Sequence, residues 1–175
     1  MSQNPEAAAL DKLIAQLHSI QQEFPHGSGQ PITTVSVEIS SPQSYWFVDP
    51  TRITELRAIK SQAFDLSKLL RYCEELNTNF RSNCFLSVYM LGRAILDHVP
   101  PIFSCKSFAE VANNYSTGGK SFKQSMQNLE NSLRNIADAH LHVQIRKSET
   151  LPNVTQVNFS ADLDVLLAEI VRLLK

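Results

Sequence analysis

The chain lacks most of the residue patterns that mark a specialised chemistry. Its three cysteines, Cys73, Cys84 and Cys105, form no CxxC and no Cys/His cluster of zinc spacing, which excludes a disulfide framework and a structural zinc site. An odd number of thiols on apolar helical faces is expected to be reduced and buried, as in a reducing cytoplasm. No charge of one sign dominates: 16 Lys and Arg face 17 Asp and Glu, a formal net charge of −1. That excludes a global electrostatic trap for nucleic acid. A local one remains in 118–149, where Lys120, Lys123, Arg134, Arg146 and Lys147 outnumber Glu130, Asp138 and Glu149. No apolar run approaches the roughly 18 residues of a membrane span. The first residues carry neither a basic region nor a long apolar core, so they do not read as a secretory signal. A soluble, cytoplasmic protein is expected, with no cofactor or metal motif.

What is present is a helical pattern with enough apolar residues, 43% of the chain, to build a real core. Residues 1–50 read as an accessory arm. An amphipathic helix over 5–24 is followed by the breaker PHGSGQP and a short β-branched strand over 32–39. Tyr45, Trp46 and Phe47 are expected to anchor this arm to the rest. Residues 51–175 read as an α-helical bundle of about five helices. Asp65 can cap a helix that interrupts the run 51–77, and Asn79 can cap the next, 79–98. That helix is apolar almost all round, the mark of a bundle centre, and Pro100–Pro101 ends it. A short helix over 106–115 and a turn at 116–119 follow. Residues 143–159 read as loop with a short strand at VTQVNF, and Ser160 as the cap of a last helix, 161–174.

The segment GGKSFKQSMQNLENSLRNIADAHLH, 118–142, carries the functional signal. Phe122, Met126, Leu129, Leu133, Ile136 and His140 recur at steps of four and three, one face of a helix. The last member of this stripe is an imidazole, and Arg134 lies six residues before it. On a regular helix the two are about 120° and 9 Å apart. Histidine moves a proton near neutral pH, and arginine holds a phosphate bidentately without losing its charge. Reaching one phosphate from two sides of a groove, the pair suits metal-free RNA cleavage.

The stretch RNIADAH, 134–140, resembles the signature of HEPN domains: an arginine, a polar residue (here Asn135), and a histidine after four to six intervening positions. FDLSKLLRYCEEL, RAILDHVPPIF and LRNIADAHLHVQIRK are similar to an uncharacterised bacterial branch of that family, over roughly residues 60–175. The resemblance implies a HEPN-like bundle and a homodimer whose two-fold axis brings two Arg/His pairs into one cleft. It also implies a metal-independent endoribonuclease in a toxin–antitoxin or phage-defence system, with Arg134, Asn135 and His140 carrying the chemistry. An antitoxin or nucleotidyltransferase partner rests on the same analogy.

Each candidate has a structural alternative. Arg134 can pair with Asp138 at i, i+4 while His140 merely ends a buried face. The bundle would then serve oligomerisation or partner binding. His142 lies close to the face of Arg134 and is also i, i+4 from Asp138. Arg93 and His98 repeat the Arg/His spacing in RAILDH. There Arg93 and Asp97 form an i, i+4 ion pair, and His98 gains from the helix C-terminus. A functional version would set this helix beside the motif helix, with Arg93 or Asp97 in the same cleft. STGGKS, 116–121, lacks the first glycine and the preceding strand of a phosphate loop and reads as a turn. Asp162, Asp164 and Glu169 read as helix-dipole partners rather than metal ligands.

Overall fold

The structure, a computed structural model, describes residues 46–175. The expected N-terminal helix and strand lie outside the described residues. The chain divides into two units, 1–41 and 42–175, and the described residues belong to the second.

That unit is mainly α-helical, as expected, with no strand among the described residues. α1 spans Pro50–Ala58, α2 Ser67–Arg81, α3 Phe85–His98, α4 Phe108–Asn114, α5 Gly119–Asn128, α6 Asn135–His142 and α7 Ser160–Leu174. A 3₁₀ turn, Pro100–Phe103, comes after α3, and a π-helical turn, Leu129–Arg134, joins α5 to α6 without a break. None of these helices is long and apolar enough to cross a membrane.

Local chemistry sets the ends. Asp49 accepts the Thr51 N–H at 2.7 Å and opens α1. The expected interruption of the run 51–77 is present, but Leu66 holds the cap position of α2, and Asp65, one residue before it, accepts the Ser67 N–H at 2.9 Å. These backbone donors hold both carboxyls below their ordinary range. Asn79 does not cap α3. α2 runs on to Arg81, and the Asn79 amide donates to the Glu75 carbonyl at 2.8 Å. The break falls at Asn83, whose φ of 56° is a left-handed conformation that asparagine tolerates. Ser160 is likewise the first residue of α7, with Phe159 in the cap position. The expected strand at 154–159 is a turn. The Asn153 side chain accepts the N–H groups of Thr155 and Gln156 at 3.0 and 3.2 Å, an Asx turn that withdraws both from any ladder.

α3 is the centre. It packs on α2, the 3₁₀ turn, the π-helical turn and α6, while α7 covers α1 and α5. Val88, Tyr89, Ile95 and Leu96 are fully buried. Burial of each such side chain contributes about 1.5–3 kcal/mol. Phe47 and Val48 also enter the core. The Asn77 amide accepts the Val48 N–H and donates to its carbonyl, both at 2.8 Å, so this buried polar group is satisfied. Trp46 stays more exposed, beneath the Arg81 guanidinium 4.4 Å from the ring centroid. The three thiols are unpaired, and their burial is not uniform: Cys73 is buried, Cys105 half-buried and Cys84 exposed. Cys84 follows Asn83 out of the apolar face at the α2–α3 turn, whereas burial pushes the Cys73 thiol up to about 12.

Gly92 sets how closely α3 meets the motif helix. A Cβ there would lie 2.8 Å from Leu133 Cδ1 and 3.1 Å from the Phe159 ring. Overpacking at Gly92→Ala costs about 1–3 kcal/mol, offset by the roughly 1 kcal/mol that alanine gains over glycine inside a helix, so a net loss of up to about 2 kcal/mol is expected. Urea unfolding should show a lower midpoint at unchanged slope; a midpoint raised by the full helix gain would mean that this approach is not tight.

Candidate functional site

Gly119–His142 is one continuous rod, and the π-helical turn sits in its middle. Phe122, Met126, Leu129 and Leu133 are buried along one side, as their spacing predicts. A π-helical turn holds one more residue than an α-turn, so it shifts the phase of the residues beyond it. There Ala137 is the buried position, and Ile136 and His140 are only half-buried.

The polar residues of this rod meet α3 in a ladder. Arg134 donates from Nε to Glu130 at 2.8 Å and from a terminal nitrogen to Asp97 at 2.9 Å. Arg93 donates to Asp138 at 2.9 Å and also pairs with Asp97. His140 lies against Tyr89, ring centroids 5.9 Å apart. The partners 134–97, 138–93 and 140–89 run in opposite directions along the chain, so α3 and the motif helix are antiparallel. The ladder thus includes the expected Arg93–Asp97 pair, and that part of α3 stands beside the motif helix. Arg134 does not pair with Asp138, as its spacing allowed. Glu130 precedes it at i, i+4, the more favourable order on a helix, and Asp138 is drawn across to Arg93.

Three carboxylates therefore surround two guanidiniums, and both arginines are about one-fifth exposed. The hydrogen bond from Arg93 holds the Asp138 carboxyl below its ordinary range, with the charges of Arg134 and His142 adding to the effect. His142 itself is exposed. The Asn135 amide donates to the Asn131 carbonyl at 2.6 Å and so is engaged within its own helix. His98 belongs elsewhere: it packs edge-on against Tyr72 of α2, and burial, then the nearby Lys68, lowers its pKa.

His140 opens onto a cleft of about 370 Å³ at the C-terminal end of the motif helix, lined also by Leu86, Ile145, Arg146, Glu149 and Leu151. Arg134 does not line it. The Arg93–Asp138 pair lies between Arg134 and His140 along the ladder. Glu149 accepts the Arg146 backbone N–H at 2.7 Å and closes the turn over the cleft. Arg146 and Glu149 were visible in the sequence only as members of a charged stretch. They fall in 143–159, where no helical spacing relates them to His140. Glu130 was legible in principle, four residues before Arg134. Two of the three acids of α7 are engaged: Asp164 accepts from Arg52 at 2.9 Å, and Glu169 accepts from Tyr115 at 2.5 Å and from Arg172 at 2.6 Å, while Asp162 stands in the first turn of the helix. STGGKS is a turn and a helix start, with Gly119 at a φ of 74°. Among the described residues no group of three or more His, Cys, Asp or Glu side chains is placed to hold a metal ion.

No family model, curated protein or solved structure matches the chain.

Asp97 is more than half exposed, so its two ion pairs are screened and modest. Asp97→Asn is expected to cost about 1 kcal/mol at low salt, shrinking in molar salt as the Debye length contracts. A loss of the same size at both salt levels would contradict an ionic role. His98 gives a second check. Its folded pKa is lowered, so the unfolded chain takes up the proton first. Stability is full above the ordinary histidine value of about 6.5 and falls as pH drops through it toward the folded value. His98→Gln should flatten that part of a pH–stability curve; an unchanged curve would show that His98 does not supply it.

Proposed function

We propose that the chain is a HEPN-type, metal-independent endoribonuclease that works as a homodimer, with His140 as its general base. The observation that carries this reading is the position of His140. It is half-buried against Tyr89 on the wall of an open cleft that also holds an arginine and a carboxylate. A ring held on one side and open on the other can present a nitrogen to substrate in a fixed orientation. In the reaction, the 2′-oxygen of a ribose bonds to the adjacent phosphorus and the bond from phosphorus to the 5′-oxygen breaks. His140 takes the 2′-hydroxyl proton, and the departing oxygen takes a proton from water. The products are a 2′,3′-cyclic phosphate and a 5′-hydroxyl. Arg134, with Asn135 beside it, holds the motif helix in place. Toxin–antitoxin or phage-defence use, and an antitoxin or nucleotidyltransferase partner, rest on the HEPN resemblance alone.

A second reading, a non-catalytic module for oligomerisation or partner binding, is favoured by the apolar rim of the same cleft. Leu86, Val143 and Leu151 are exposed there, and Ile145 is 94% exposed. Such side chains gain most when another surface covers them.

Purified protein is expected to cut single-stranded RNA in the presence of EDTA and leave cyclic phosphate ends. His140→Ala should lower the rate by about 100-fold or more while circular dichroism shows the fold intact. A folded His140→Ala protein as active as wild type would remove the nuclease reading.

A further inference from the structure

We infer that Arg146, outside the Arg/His motif, is the cation that holds the scissile phosphate for His140. This rests on the nuclease reading above and goes beyond it by reassigning the charge-stabilising role. Cleavage of a phosphodiester needs a cation or a set of donors where negative charge builds on the phosphoryl oxygens. Arg134 is poorly placed for that task. Glu130 takes its Nε and Asp97 takes a terminal nitrogen. A phosphate reaching it would meet the Glu130, Asp97 and Asp138 carboxylates, which outnumber the two guanidiniums among them. Displacing one carboxylate would also loosen the contact between the motif helix and α3.

Arg146 differs: its carboxylate neighbour in the cleft, Glu149, takes its backbone N–H and leaves the guanidinium out of any ion pair among the described residues. It lines the same cleft as His140. It is exposed, and its side chain makes no ion pair among the described residues. Its backbone N–H is bound by the Glu149 carboxylate at 2.7 Å, which ties residue 146 to the turn that follows it. The cleft also has apolar walls, Leu86, Ile145 and Leu151. An unstacked base can lie against such walls while its phosphate is held by the guanidinium, the arrangement expected for single-stranded rather than duplex RNA. The geometry thus couples a base and a cation from opposite ends of one short stretch, six residues apart, on either side of the end of α6.

The test compares Arg146→Gln, Lys147→Gln and His140→Ala in the full chain. Cleavage of a fluorogenic RNA oligonucleotide in EDTA is measured alongside binding of its non-cleavable 2′-O-methyl analogue across a salt series. Lys147 is the neighbouring exposed cation and is absent from the cleft wall, so it controls for general charge. Arg146→Gln is expected to lower kcat/KM by about 100-fold. It should also reduce the slope of log Kd against log salt by about 0.7, the loss of one phosphate contact on a single strand. Lys147→Gln should stay within about twofold of wild type. Equal losses in the two variants, or a folded Arg146→Gln protein that cleaves like wild type, would overturn the Arg146 assignment. The nuclease reading would survive that result as long as His140→Ala is inactive. A wild-type protein that neither cleaves RNA nor binds the analogue would overturn both.

Discussion

Asp97 accepts from two arginines at once, Arg93 on its own helix and Arg134 at the end of the π-helical turn. The placement of everything downstream depends on this double acceptance. Taken singly, part-exposed ion pairs contribute about 1 kcal/mol or less, while each buried leucine of the motif helix contributes about 1.5–3 kcal/mol. Apolar burial therefore holds the two helices together. The ionic ladder adds to the rotation and register that the Leu129, Leu133 and Ala137 face already sets against α3, because each charge has one partner across the interface at one height. With Arg134 opposite Asp97 and Asp138 opposite Arg93, His140 must arrive beside Tyr89, at the mouth of the cleft.

This division separates two kinds of charge on one helix. The ladder is neutralised in place and slightly acidic, which suits a strut. The cleft, a turn further on, has an imidazole, an arginine outside the ladder and apolar walls. A site that binds an anion needs donors not already spoken for, and in this region the ladder does not offer them. The π-helical turn is part of the same arrangement. Such turns are frequent at functional sites within helices, and here it changes the phase of the rod just before the residues that face the cleft.

Much of the architecture was legible in the chain. The step of three and four placed Phe122, Met126, Leu129 and Leu133 on one buried face, the all-round apolar helix proved central, and Asp65 marked a real helix start. The errors have local physical causes. Asn79 and Ser160 have cap chemistry, but a cap works only where the backbone already turns, and it turns at Asn83 and before Ser160. VTQVNF has strand composition, but no neighbouring strand among the described residues competes with the Asx turn of Asn153. In the candidate site, spacing alone offered Arg134 two acidic neighbours at i±4, and only the packing against α3 decides between them. Arg146 carries no periodic signal at all, because the helix ends at His142.

In the proposed site Arg134 is a strut, and substrate phosphate is assigned to His140 and Arg146. A crystal structure with a 2′-O-methyl RNA dinucleotide tests it most directly. Phosphate density is expected between His140 and the 146–149 turn, with Arg134 still bound by Glu130 and Asp97. Density on Arg134, with its bonds to those two carboxylates broken, would contradict it.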